Sequence, residues 1–160
     1  MIKNLLINLK PYFKVLVDKL KNLPKPNFHH KLVEIFRAEI NRRRNISQEV
    51  PNLSYIKTLS NTDIEFHNEF LKTLSEEYSS DLRAYLFCIE NGAPRAAASK
   101  VSKLKDKLNI LGMKNAFSFA ERHQRKLQKG NKSSDRKFKK ILARADHFLN
   151  KQQQIYKLVN

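Results

Sequence analysis

"VSKLKDKLNILGM" occupies Val101–Met113. Val101, Leu104, Leu108 and Leu111 recur at three- and four-residue steps, the spacing that aligns side chains along one face of an α-helix. One position later, Ser102, Lys105, Asn109 and Gly112 repeat the same offsets and form a polar stripe turned by about 100°. Asp106 stands one turn after Ser102 on that side. A segment with one stripe to bury and one to display predicts a helix in the wall of a helical bundle. The displayed stripe offers a hydroxyl, an ammonium and a carboxylate, with the backbone left open at Gly112.

The flanks extend the pattern in both directions. "NGAP" (91–94) reads as a turn, with Pro94 suited to a first helical turn, so a helix is expected over 95–111. Gly112 ends it, and a second follows over 114–128. "KGNKSSD" (129–135) is a loop before a helix over 136–158. Upstream, Asn61, Thr62 and Asp63 supply capping chemistry for a long helix to Glu90. Its apolar face reads Ile64, Phe70, Leu71, Leu74, Tyr78, Leu82 and Leu86. A short helix over 53–59 precedes it. Two more patterns, Ile2–Leu23 (interrupted by Pro11) and Phe28–Arg44, are separated by "PKPN" (24–27) and read as a hairpin. "NISQEVPN" (45–52) marks the boundary. The expected architecture is all-α: a basic N-terminal hairpin over 1–45 and a bundle over 50–160, its long helices joined by short loops as antiparallel neighbours.

Composition agrees. The chain has 160 residues, 41% of them hydrophobic, with 3 Gly, 5 Pro and no Trp. The regular turn clusters that a β-sandwich needs are missing. A single cysteine, Cys88, excludes an internal disulfide framework and a Cys-rich zinc site, so a reducing cytoplasm is the expected compartment. No metal and no cofactor is expected. The net charge of +17 is unevenly spread: residues 46–98 hold 4 Lys/Arg against 8 Asp/Glu, whereas 99–160 hold 17 against 4. Such a field favours anionic partners, although a Lys-rich solvated helix surface accounts for the same excess.

The spacing around residue 102 resembles the histidine phosphotransfer (HPt) family. In that family a phosphorylatable His is followed by an apolar residue at +2, Lys at +3, often a small residue at +4 and Gly at +10. Here Leu104, Lys105, Asp106 and Gly112 stand at those offsets, flanked by "AAASKV" and "ILGMKNAFSFAE" and preceded by the acidic "DIEFHNEFLKTLSEEY". The similarity covers about residues 50–150. It implies a four-helix bundle that docks on the receiver domain of a response regulator or hybrid kinase. The position of the His holds Ser102. A serine hydroxyl is a weak nucleophile without a base, its phosphate ester would be a poor onward donor, and Asp106 repels an incoming phosphoryl group. The resemblance therefore implies a degenerate, non-enzymatic member. Its partner-binding face would comprise Ala98, Ser102, Lys103, Lys105, Asp106, Asn109 and Gly112.

The five histidines do not replace the missing one. His67 and His123 read as solvated, His147 lacks a ligand-type partner at i+4, and adjacent His29 and His30 point to different sides of a helix. A second reading, a binder of nucleic acid or another anionic surface, rests on two basic runs. Arg42, Arg43 and Arg44 form one; Arg122, Arg125, Lys126, Arg136, Lys137, Lys139 and Lys140 form the other. Phe138 is the only ring in the second run, so single-strand stacking has little support. A third reading takes the 2–22 helix as a membrane-surface anchor.

Overall fold

The computed structural model describes residues 34, 37–42, 45, 46, 48–61 and 63–159, with side chains as far as 155. The chain divides into two compact units, Met1–Arg43 and Arg44–Asn160. In the first, residues 37–42 are helical and Arg42 Nε donates to Glu39 Oε2 at 2.8 Å. The Ile2–Leu23 helix expected from sequence lies outside the described residues.

The second unit is an all-α bundle, with no strand among the described residues. Its helices are α1 (Ser54–Ser60), α2 (Ile64–Glu90), α3 (Pro94–Ile110), α4 (Lys114–Gln128) and α5 (Asp135–Val159). The four long helices close a ring: α2 packs on α3 and α5, α4 packs on α3 and α5, and α1 lies on α2. Asp63 caps α2, its carboxylate accepting from Phe66 N at 2.9 Å.

All three glycines of the chain end helices. Gly92, Gly112 and Gly130 carry φ of +69°, +70° and +75°. The next N–H reaches back five residues: Ala93 to Cys88, Met113 to Leu108, and Asn131 to Lys126, each at 2.9 Å. This Schellman closure satisfies helix-terminal carbonyls and reverses the chain within a few residues, which makes successive helices antiparallel.

The core follows the stripes. Val101, Leu104, Leu108 and Leu111 are fully buried against Tyr78, Tyr85, Leu127, Phe138 and Leu142. Burial of each such side chain stabilises the fold by roughly 1.5–3 kcal/mol. On α4 the inward positions are Ala116, Ala120, His123 and Leu127, and the two alanines let α3 approach closely. The inward face of α2 differs from its expected reading. Ile64 is 73% exposed, because it begins the helix beyond the reach of the ring. Tyr85 and Ile89 are buried instead, continuing Leu71, Leu74 and Tyr78 at seven- and four-residue steps. Tyr78 Oη donates to Leu142 O at 2.8 Å, so the phenol enters the core without losing a hydrogen bond. Burial, then the Asp146 charge, pushes this phenol well above its ordinary pKa.

Residues 46–52 belong to this unit. Ile46 is buried, and its carbonyl accepts from Arg144 Nη2 at 2.7 Å. Asn52 N donates to Leu111 O at 2.9 Å.

Candidate functional site

The middle of α3 carries the candidate face. With Val101, Leu104 and Leu108 turned inward, Lys103, Asp106 and Asn109 are exposed and Ser102 and Lys105 are half-buried. Ser102 Oγ makes no hydrogen bond among the described residues. Lys105 leans onto α4: its Nζ lies 3.9 Å from Glu121 Oε1 and 5.5 Å from the Phe117 ring centroid. The ammonium therefore sits between a carboxylate and a π-face at the edge of the stripe.

Two members of the expected face lie elsewhere. Ala98 is buried at 2% exposure, because it falls one turn before Val101 and Ser102 and packs inward beside Ala97. Gly112 is covered by the Asn52 side chain, and a Cβ added there would collide with the Asn52 amide. Its backbone forms the α3–α4 turn beneath Asn52 and is not an open surface. The displayed stripe is thus Ser102, Lys103, Lys105, Asp106 and Asn109.

A groove of about 630 Å³ borders this stripe, between α3 and α2. Phe70, Leu74 and Ile110 supply apolar lining, and Lys103 and Asp106 line it from α3. Lys107 crosses it, with Nζ 2.7 Å from Asp81 Oδ2 and 3.1 Å from Glu77 Oε2. Burial works to lower the pKa of Lys107, but the hydrogen bonds that it donates to Asp81 and then Glu77 outweigh it and the net shift is upward. The sequence reading passed over this lysine. Its signal was Glu77 and Asp81 at i and i+4 on the acidic helix, a carboxylate pair able to hold one ammonium.

His123 was expected to be solvated and is instead 1% exposed. Its place seven residues after Ala116, three after Ala120 and four before Leu127, all buried, carries it into the core. Tyr85 Oη donates to Asp135 Oδ1 at 2.5 Å and lies 2.8 Å from His123 Nε2. The single phenolic proton is committed to the carboxylate, so Nε2 carries a proton and donates to the phenol oxygen. Nδ1 then accepts from the Ser134 hydroxyl, 2.8 Å away. Burial foremost, aided by Lys126 and opposed by Asp135, pushes the His123 pKa down to about 4, so the ring is neutral. The phenol of Tyr85 is raised by burial and by its bond to Asp135. Phe138, the only ring in the second basic run, packs edge-on against Tyr85 at 5.3 Å and is fully buried.

The second basic run lies on α4, the 129–134 loop and α5. Arg125, Arg136 and Lys140 are exposed. Lys139 Nζ pairs with Asp135 Oδ2 at 3.3 Å, and Lys137 Nζ lies 5.4 Å over the Phe119 ring. Arg122 and Lys126 are half-buried. Arg43 and Arg44 lie outside the described residues, and Arg42 is engaged by Glu39. Among the described residues no helix is long and apolar enough to cross a membrane.

No family model, curated protein or solved structure matches the chain.

Proposed function

We propose that the chain is a non-enzymatic docking protein of HPt-like type, which occupies a receiver domain through the outer stripe of α3 and modulates phosphotransfer without carrying phosphate. The observation that carries this reading is the division of α3. Its apolar stripe is wholly buried, while Ser102, Lys103, Asp106 and Asn109 stand on the outer side, with Ser102 at the position that the resemblance gives to the phosphoacceptor. A hydroxyl with no base in hydrogen-bond reach among the described residues, one turn from an exposed carboxylate, suits contact and not transfer. Lys103 and Lys105 supply positive charge towards an acidic receiver pocket, and charge of this kind governs encounter rate and partner choice more than affinity.

The test is restoration of the acceptor. Receiver domains from the same cell, phosphorylated with labelled phosphate, are mixed with wild type and with Ser102→His. The variant is expected to take up label from at least one receiver and the wild type from none. A Ser102→His protein that binds a phosphorylated receiver yet never gains label would refute an HPt-like arrangement around residue 102.

A further inference from the structure

Charge is segregated around the bundle. Helix α2, residues 64–90, carries 6 Asp/Glu against 2 Lys/Arg, whereas residues 114–160 carry 13 Lys/Arg against 3 Asp/Glu. Within 122–144 the sole acid is Asp135. The fold withdraws that carboxylate from the surface: Tyr85 holds one oxygen and Lys139 pairs with the other. What remains outward at this end of the molecule is cationic. Arg125 and Lys129 close α4, Lys132 lies in the loop, and Arg136 and Lys140 open α5 one turn apart. All five are exposed, and none forms an ion pair among the described residues.

The connection that presents them is fixed in place. Gly130 N donates to Leu127 O at 2.8 Å and Asp135 N to Lys132 O at 2.9 Å, while Ser134 is tied to buried His123. A loop held at both ends presents its cations with less ordering cost on binding than a free one. Last-turn cations also complement the α4 dipole, but that role needs no loop lysine and no cations at the start of α5, where the dipole opposes them.

We infer that the α4–α5 end binds the phosphate backbone of duplex nucleic acid, without base readout. Regularly spaced phosphates are the chemistry that several fixed, unpaired cations match. Single strands are disfavoured because the rings here, Phe119 and Phe138, are covered by Lys137 or buried, and stacking platforms need open faces. An anionic membrane is disfavoured because Ile155 is the one large exposed hydrophobe described in residues 114–155, leaving little apolar surface to insert.

The experiment is fluorescence anisotropy with the full chain, using a labelled duplex of ~20 base pairs, a single strand of equal length as competitor, and phosphatidylserine-containing vesicles as a second competitor. Expected is a dissociation constant of roughly 1–100 μM at ~50 mM salt, with a log–log salt slope of about −4.5 for five neutralised phosphates. The quintuple variant Arg125→Gln, Lys129→Gln, Lys132→Gln, Arg136→Gln, Lys140→Gln should lose at least ~10-fold in affinity. The milder pair Arg136→Gln, Lys140→Gln should flatten the slope by about 1.8. Lys72→Gln, which removes an exposed cation on α2, should bind as wild type. No duplex binding at low salt, an unchanged slope in the pair variant, or stronger competition by vesicles or single strand than by duplex would overturn the assignment. These outcomes are independent of receiver docking, which uses α3.

Discussion

Glu49 caps a helix that begins more than sixty residues after it. Its Oε1 accepts from Asn115 N at 2.8 Å and from Asn115 Nδ2 at 3.1 Å, and its Oε2 accepts from Ala116 N at 2.8 Å. Met113, the residue at the N-cap of α4, has no capping side chain, so these first-turn donors would otherwise lack a partner within the helix. The carboxylate also faces the positive end of the α4 dipole. Glu49→Ala should therefore lower stability by about 1–2 kcal/mol, measured by urea denaturation, with Glu49→Gln intermediate. An unchanged midpoint would mean that the cap adds nothing to water.

Gly112 tests the same junction from the other side. At φ +70°, Gly112→Ala meets both left-handed backbone strain and the Asn52 amide. The expected cost is roughly 1–3 kcal/mol. Asn52→Ala, which opens the space, should recover the steric part in a double-mutant cycle. Additive losses would show that the two residues are not in conflict.

These two residues also show where sequence reading reaches and where it stops. The helices of the bundle are local: period, caps and glycine stops all lie within a few residues, and α4 is observed over the interval its pattern predicts, 114–128. Glu49, by contrast, acts across a separation that periodicity cannot see, in a stretch that reads as a linker because it holds Pro51 and polar residues. Gly112 looked open because a single helix gives no hint of the Asn52 side chain that covers it. His123 was partly legible, since it occupies a core register of α4. Its polarity masked the register, and its partners Tyr85, Ser134 and Asp135 come from two other segments.

The neutral His123 gives stability a pH dependence. Its folded pKa, about 4, lies below the ordinary 6.5, so the unfolded chain binds a proton more readily between those values. This contribution is unchanged above about pH 6.5, falls as pH drops through the window, and levels off below about pH 4 at a loss of roughly 3 kcal/mol. Urea midpoints from pH 7.5 to 4 should decline accordingly, and His123→Gln should flatten the decline. An equal slope in the variant would assign it to other groups.

The two lysines of α3 should behave differently. Lys107 is nearly buried between Asp81 and Glu77, so Lys107→Ala strands Asp81 and should cost about 2–3 kcal/mol. Lys105 sits 3.9 Å from a half-exposed Glu121, and Lys105→Ala should cost less than about 1 kcal/mol. Thermal denaturation of both variants separates them. Comparable losses would mean that Lys105 is a structural residue and not a surface one.

The central claim is that the outer stripe of α3 is a docking surface. Isothermal titration of the wild-type chain against receiver domains from the same cell tests it most directly, with Lys103→Glu and Asn109→Arg as paired variants on the exposed stripe. At least one receiver is expected to bind, and both variants should weaken binding tenfold or more while circular dichroism shows the helical fold kept. Absence of binding to every receiver, or binding that neither variant alters, would contradict it.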